Sequence, residues 1–346
     1  MKDLELILNM QTKYLTPIRL AIISPCYNEG NLITDSSTRL SRVINELIQE
    51  KTISKDSFIL FVNDGSTDNT WNELSRINKI DHKVCALNLS KNVGHQIALM
   101  CGMMYVRKYV DAIITIDSDL QDDISAIEKM IEKHYDGAEI VYGIKKNRSV
   151  DPFFKRTFSS LFYNVQKLLG IKVIRNHADF RLLSQKVLNS LASYHERDIY
   201  LRGIIPLLGF NSVEVDDFLN PRLSGNSKYS ISKQIHLAID GITSFSSKPL
   251  EWIFIVGIIM MALSICMLVY VIVSFFLGNV IAGWASLMIS IWFIGAVLVM
   301  SIGLIGIYIG KIFMEVKHRP LYRVSETIGL NAFIEKSKDI CNKIVE

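Results

Sequence analysis

Short apolar runs alternate with helix-like segments from Leu20 to about Tyr142. Five runs predict strands, namely LAIIS, FILFVN, VCALNLS, AIITID and EIVYG. Apolar residues at helical spacing predict helices between them, over residues 32–48, 71–77, 95–110 and 124–134. This alternation predicts an α/β fold in which helices cover a mostly parallel sheet.

A second pattern begins at residue 252, because residues 252–310 contain no Asp, Glu, Lys or Arg. The stretch is long enough for two membrane crossings of about 20 residues each. Turn-forming residues between 278 and 283 divide it. We therefore predict a two-helix transmembrane hairpin with spans over 252–276 and 284–310. A pair of buried core helices is the alternative.

Basic residues flank the predicted hairpin on both sides, whereas its short loop has none. They are Lys248 before it and Lys311, Lys317, Arg319 and Arg323 after it. Positive charge marks the cytoplasmic side of membrane proteins. We therefore expect a multi-pass protein of the cell (inner) membrane, with the globular part and both termini in the cytoplasm. The N-terminus, MKDLELILNM, is too charged for a signal peptide.

Two amphipathic stretches, residues 151–169 and 231–246, combine apolar and basic residues. Each predicts a helix on the membrane surface, although the first pattern fits a helix covering the sheet equally well. The chain is thus divided into a globular domain (1–230), a juxtamembrane amphipathic helix (231–250), the hairpin (251–311) and a cytoplasmic tail (312–346).

Charge and glycine motifs exclude several functions. A net charge of +4 is too small to favour nucleic acid, while the basic residues beside the hairpin favour anionic headgroups and hence a membrane partner. The chain contains neither GxGxxG nor GxxxxGK[ST]. A nucleotide must therefore be bound without a dinucleotide fingerprint or a Walker phosphate loop.

Polar turns follow three of the five predicted strands: SPCYNEG after the first, NDGSTD after the second and DSDLQD after the fourth. Ligands of parallel sheets bind beyond the carboxyl ends of the strands, so we expect these turns to share one crevice. Asp117 and Asp119 are oxygen ligands suited to Mg²⁺ or Mn²⁺. Asp64 is suited either to a base or ribose or to capping the next helix, and Asn28 and Glu29 have the same two possibilities.

These motifs, together with LSKNVGHQIAL, resemble the family-2 glycosyltransferases of GT-A (Rossmann-like) fold. Later segments, DFRL, RLSGNSKY and LAIDGITSFSSKPL, are similar to bactoprenol glucosyltransferases and dolichol-phosphate-mannose synthases. The resemblance implies metal-dependent transfer of a sugar to undecaprenyl (polyisoprenyl) phosphate at the cytoplasmic membrane face. Glucose from UDP-glucose is the implied donor, and the product is a lipid-phospho-sugar for cell-surface glycan modification. A homo-oligomer is compatible with the resemblance.

The resemblance also implies residue roles. The implied nucleotide-sugar site comprises Pro25, Tyr27, Asn28, Glu29, Asp64, Ser66, Asp117 and Ser118. The implied metal ligands are Asp117, Asp119 and Gln121, and the implied catalytic residues are Asp119, Asp117 and Arg181. The implied contacts to the acceptor phosphate or the diphosphate are Arg156, Arg181, Arg222 and Lys228. The chain departs from the pattern at His95, where Lys is common in relatives, and at His177 and Ala178.

A phosphate monoester is already largely a dianion at neutral pH, so its oxygen can attack without a strong general base. We therefore expect direct attack on the anomeric carbon and inversion. Asp179 or Asp119 acting as a covalent nucleophile is the competing mechanism. The competing functions are a processive polysaccharide synthase, whose QxxRW motif and extra spans are lacking here, and a non-catalytic nucleotide-sugar-binding or flippase subunit.

Overall fold

The computed structural model describes residues 16–145, 177–197, 199–218, 248–277, 283–331 and 333. The described residues form two units. The first contains those up to residue 218 together with residues 320–333, and the second contains residues 248–319. Both predicted amphipathic stretches lie outside the described residues.

The first unit contains an eight-stranded sheet with the strand order β7-β5-β6-β4-β1-β2-β3-β8. The strands are β1 (Leu20–Cys26), β2 (Phe58–Asn63), β3 (Val84–Leu89), β4 (Ala112–Thr115), β5 (Ile140–Lys145), β6 (His177–Ser184), β7 (Ser212–Asp217) and β8 (Val324–Ile328). The helices are α1 (Gly30–Gln49), α2 (Thr70–Ile80), α3 (His95–Val106), α4 (Ala126–Tyr135), α5 (Gln185–Leu191) and α6 (Leu201–Leu207). The prediction of an α/β domain with a mostly parallel sheet is confirmed.

The order of the parallel strands creates the crevice. β1 pairs in parallel with β2 on one side and with β4 on the other, and β2 pairs in parallel with β3. The chain therefore moves outward from β1 to β3 and then returns to the opposite side of β1. Such a switch point opens a crevice beyond the carboxyl ends of the two strands beside it, which here are β1 and β4.

Burial explains why the first strands were predictable. Every residue of β1, β2 and β4 is buried, as expected for parallel strands with helices on both faces. Helix α1 buries one stripe of residues, including Ile33, Leu40, Ile44 and Leu47, whose spacing matches the helical repeat. The core thus lies between the sheet and its helices.

Three strands were not predicted. β6 pairs antiparallel with both β4 and β5, so β5 is not the direct neighbour of β4. β7 pairs in parallel with β5, and β8 pairs antiparallel with β3. All three carry polar or charged residues that interrupt an apolar pattern. β8 lies within the segment predicted to be a cytoplasmic tail, so part of that segment completes the sheet.

The second unit contains two long helices, α7 (Lys248–Phe276) and α8 (Trp284–Val316). Within the part of the chain that the structure describes, one helical stretch, Phe293–Val316, is long and apolar enough to cross a membrane, with a mean hydropathy of 2.3. Its 24 residues extend for about 36 Å at 1.5 Å per residue. The two-helix transmembrane hairpin remains a prediction.

Several contacts fix β8 and the residues after it to the first unit. Trp71 Nε1 donates to Glu326 Oε2 at 3.0 Å, and the Phe333 ring lies 4.8 Å from the Phe58 ring between centroids. Leu330 is buried. Gly329 has a φ of 75°, and a Cβ there would lie 2.4 Å from Asn78 Nδ2. The returning segment is therefore closely packed.

Gly329→Ala should destabilise the protein more than Gly209→Ala. Both glycines have left-handed backbones, with φ of 75° and 71°, so each substitution has a conformational cost of about 1–2 kcal/mol. Only Gly329 has neighbours that the methyl group would meet. Displacing Asn78 would also disturb its 2.8 Å hydrogen bond to the Val84 carbonyl, adding about 1 kcal/mol. Thermal unfolding of the purified variants measures the difference, and equal midpoints would contradict the packing described here.

Candidate active site

The turns after β1 and β2 are bound directly to each other. The Asn28 backbone N–H donates to Ser66 Oγ at 2.9 Å, and the Thr67 N–H donates to Asn28 Oδ1 at 2.8 Å. Asn28 has a φ of 55°, a strained value that local hydrogen bonding of an Asn side chain helps to stabilise. Asn28 and Ser66 therefore shape this edge of the crevice.

Pro25 and Tyr27 differ in accessibility. Pro25 is buried within β1, whereas the Tyr27 side chain is 45% exposed. Tyr27 is thus accessible to solvent just beyond the end of β1, whereas Pro25 is packed within the strand.

Asp64, at the end of β2, holds the loop that precedes α3. Its two carboxylate oxygens accept from the Val93 N–H at 2.7 Å and the Gly94 N–H at 2.9 Å. Burial raises the pKa of Asp64, and these two hydrogen bonds oppose the increase. A Cβ on Gly65 would lie 2.4 Å from the Lys91 carbonyl carbon. Asp64 and Gly65 therefore position the N-terminus of α3, and the helix-capping alternative does not describe Asp64.

The acidic turn after β4 is anchored on its β1 side. Ser118 Oγ donates to Glu29, and Ser36 Oγ donates to the Ser118 carbonyl oxygen. Glu29 and Ser118, both predicted for the nucleotide-sugar site, are thus brought together. Burial raises the pKa of Glu29, the Ser118 hydrogen bond opposes this, and the charges of Asp119 and Asp117 raise the pKa further.

The three predicted metal ligands lie on this same turn. Gln121 Nε2 donates to Asp119 Oδ2 at 2.8 Å, and Asp117 and Asp119 are both partly exposed. Partial desolvation and the nearby charges of Asp122, Asp179 and Asp119 raise the pKa of Asp117 to about 6, against the effect of His95.

The residues of this turn fit a divalent cation bound jointly with substrate. Within the described ranges, no three His, Cys, Asp or Glu side chains form a group able to hold a metal ion. Asp117, Asp119 and Gln121 would supply two carboxylates and one amide oxygen, and Mg²⁺ usually completes such a set with phosphate oxygens and water. A cation would also offset the crowding of negative charge around Asp117.

Asp179, on β6, is the centre of a cationic cluster. Arg181 Nη2 donates to Asp179 Oδ1, Arg202 Nη2 lies 3.1 Å from Oδ2, and Gln96 Nε2 lies 3.2 Å from Oδ2. Burial alone would raise the pKa of Asp179, but Arg181, His95 and Arg202 hold it well below its ordinary value. The Asp179 carboxylate thus faces two guanidinium groups, and the charge of Asp117 also acts on Arg181.

His95 connects the acidic turn to this cluster. Its Nε2 lies 3.5 Å from Asp117 Oδ1 and 3.4 Å from Asp179 Oδ2. The sequence analysis singled out His95 only as a departure from the family pattern, and it gave no role to Gln96 or Arg202. Their role could not be inferred because it depends on Asp179, which lies more than 80 residues beyond Gln96.

Arg181 is the one predicted phosphate contact that falls within the described residues. It is 1% exposed and directed at Asp179, and its Nη1 has no hydrogen-bond partner among the described residues. Arg156, Arg222 and Lys228 lie outside the described residues. The structure therefore tests neither their position nor their contacts.

The surroundings of Asp179 disfavour its proposed role as a covalent nucleophile. Its carboxylate accepts from Arg181, Arg202 and Gln96 and also faces His95. A carboxylate held by several donors and strongly stabilised as an anion is a weak nucleophile. Asp179 is better suited to orienting its cationic neighbours.

A strand switch point lined by two acidic turns defines the protein as an α/β protein with a candidate ligand-binding crevice at this edge of its sheet. Residues 21–192 match the model of Glycosyl transferase family 2. The chain is 45% identical to the uncharacterized glycosyltransferase YkoT of Bacillus subtilis (strain 168), over 88% of this chain and 90% of YkoT. It is 34% identical to the bactoprenol glucosyl transferase of Shigella phage SfV, over 88% of this chain and 97% of that protein.

Among solved structures, the mannosyltransferase PcManGT from Pyrobaculum calidifontis, in complex with GDP-Man and Mn²⁺, is 15% identical. The match covers 69% of this chain and 77% of that chain, with a TM-score of 0.41. The extent of the sequence matches decides the family. The protein belongs to glycosyltransferase family 2 and is a glycosyltransferase, which confirms the resemblance found in the sequence.

His95→Ala should lower the rate of nucleoside diphosphate release from the nucleotide-sugar by about 10–100-fold, the usual effect of losing a partner of a metal ligand. His95→Gln should retain more of the rate because its amide can still donate to the two carboxylates. His82→Ala, an exposed position, is the matched control. Initial rates measure the effect, and thermal unfolding midpoints show whether each variant is folded. Equal rates for His95→Ala and the wild type would show that the contacts of His95 with Asp117 and Asp179 are dispensable.

Proposed function

We propose that this glycosyltransferase transfers glucose from UDP-glucose to undecaprenyl (polyisoprenyl) phosphate. The carrying observation is the contact of His95 with Asp117 at 3.5 Å and with Asp179 at 3.4 Å. His95 thereby connects the acidic turn, which is suited to binding a cation, with the cluster around Asp179, whose arginines are suited to binding an anion. Two phosphate-bearing substrates need both kinds of group in one site. Relatives named bactoprenol glucosyl transferases support the lipid acceptor.

The donor occupies the switch-point crevice in this proposal. Tyr27 lies at its mouth, and the linked turns of Asn28 and Ser66, together with Glu29 and Ser118, form its floor. Mg²⁺ or Mn²⁺ held by Asp117, Asp119 and Gln121 would neutralise the departing diphosphate. Asp64 contributes by holding the loop immediately before His95, the first residue of α3.

The acceptor phosphate attacks the anomeric carbon directly, with inversion. A phosphate dianion needs no strong base, and the contacts of Asp179 with four neighbours count against its acting as the nucleophile. The Nη1 of Arg181, which has no hydrogen-bond partner among the described residues, supports an anion-binding role for this side chain. Arg156, Arg222 and Lys228 complete the proposed phosphate contacts.

The membrane topology is proposed from chain connectivity. β7 precedes α7 and α8, β8 follows them, and both strands belong to one sheet. Chain segments of one domain lie on one side of a membrane, so the intervening residues must cross it an even number of times. This supports the two-helix hairpin, with the catalytic domain and both termini in the cytoplasm on the side of Lys248, Lys311 and Lys317.

Transfer of radiolabel to lipid tests the reaction. With undecaprenyl phosphate, Mn²⁺ and a panel of UDP- and GDP-sugars in detergent, label from UDP-glucose should become lipid-extractable, with the opposite anomeric configuration. Asp119→Asn should reduce transfer at least about 100-fold because a metal ligand is lost. Asp35→Asn, on an exposed surface ion pair, should leave it unchanged. Absence of label from every donor with folded protein would reject the proposal.

Thiol labelling tests the topology. In a variant lacking the native cysteines, Lys317→Cys and Lys248→Cys should react with a membrane-impermeant maleimide only after the cytoplasmic side is exposed. Asn279→Cys, at a position between the two predicted spans, should react in intact cells. Labelling of residues 248 and 317 from opposite sides would contradict an even number of crossings.

A further inference from the structure

Two buried carboxylates lie behind the acidic turn, apart from the residues assigned above. Asp122, next to Gln121, is 1% exposed, and Asp217, the last residue of β7, is 0% exposed. Lys145, the last residue of β5, places its Nζ 3.2 Å from Asp122 Oδ1. The ends of two strands far from β1 thus meet the turn that carries Asp119.

Asp217 contacts the backbone of this turn directly. Its Oδ1 accepts from the Asp123 N–H at 2.8 Å. Its carboxyl group also lies within hydrogen-bonding reach of the Asp122 carboxyl group, and both side chains are buried. Two buried carboxylates this close together repel each other, so this arrangement has a cost that calls for a functional reason.

Hydrogen bonds hold the acidic turn (residues 117–123) at both of its ends. Ser118 is bound to Glu29 and Ser36 on the β1 side, and Asp123 is bound to Asp217 on the β7 side. Between them, Leu120 has a φ of 44°, a strained conformation for a residue with a branched side chain. Such a backbone persists only when its surroundings hold it firmly.

Stability alone is a poor explanation for the buried charges. Removing two carboxylates and an ammonium group from water has a cost that their mutual attraction offsets only in part. Apolar residues of similar volume would pack the same space at lower cost. What this arrangement does achieve is to hold residues 119–123 in one position.

We propose that Asp217 is a positioning residue for metal binding, which acts with Lys145 and Asp122 to hold Asp119 and Gln121 at a fixed distance from Asp117. The inference rests on the proposed metal-dependent function. It assigns no contact between Asp217 and the substrate. Asp217 acts through the backbone of the acidic turn, so its loss should weaken the metal site before it affects donor or acceptor contacts.

Mn²⁺ binding by the full-length protein in detergent tests this role of Asp217. Binding is measured in the presence of UDP from the electron paramagnetic resonance signal of free Mn²⁺. Asp217→Ala should raise the apparent Mn²⁺ dissociation constant by about 10–100-fold. Asp217→Asn retains an oxygen that can accept from Asp123 and should show a smaller increase. Glu214→Gln, at an exposed position of the same strand, should match the wild type.

Rates at increasing Mn²⁺ separate positioning from folding. For Asp217→Ala, saturating Mn²⁺ should restore most of the transfer rate, with the KM for lipid phosphate unchanged. If Asp217→Ala does not fold, Asp217→Asn and Lys145→Met carry the test. If the folded Asp217 variants bind Mn²⁺ as tightly as the wild type, the role proposed for Asp217 is wrong and the proposed function is unaffected. Failure of the wild type to bind Mn²⁺ with UDP or to transfer sugar would overturn the proposed function and this inference together.

Discussion

Parallel pairing of β1 with both β2 and β4 is the constraint on which the rest of the site depends. It places the turns after these three strands at one edge of the sheet. The contacts of Asn28 with Ser66 and of Ser118 with Glu29 exist only because of this adjacency. A different strand order would separate the acidic residues and leave no shared crevice.

Charge is segregated on either side of His95. At the turn after β4, burial and, to a smaller extent, the nearby negative charges raise the pKa of Asp117 to about 6. The cluster on β6 instead surrounds one carboxylate with cations, which lowers the pKa of Asp179. Neighbouring sites of opposite sign suit a reaction in which a cation-bound diphosphate leaves while another phosphate approaches.

The limits of sequence-based prediction follow from what each element depends on. β1 to β5 were predictable because burial alone selects their apolar residues. β6 was missed because Asp179 and Arg181 are buried within it as an ion pair. A pattern of apolar residues along the chain does not reveal charged residues that are buried because they pair with each other. Asp117 and Asp119 form a motif at a strand end, whereas Asp217 meets the same turn from 94 residues beyond Asp123. Contacts of that range depend on the folded sheet.

The position of β8 in the chain shows how the two long helices are connected to the sheet. They are inserted within the chain order of the sheet, because β8 follows them and pairs with β3. Until β8 is synthesised, the edge of β3 is unpaired, and unpaired edges promote association with other chains. Completion of the catalytic domain therefore depends on synthesis of both helices. The proposed lipid acceptor would give this dependence a use, since an active site fixed at a membrane would meet such an acceptor at a high effective concentration.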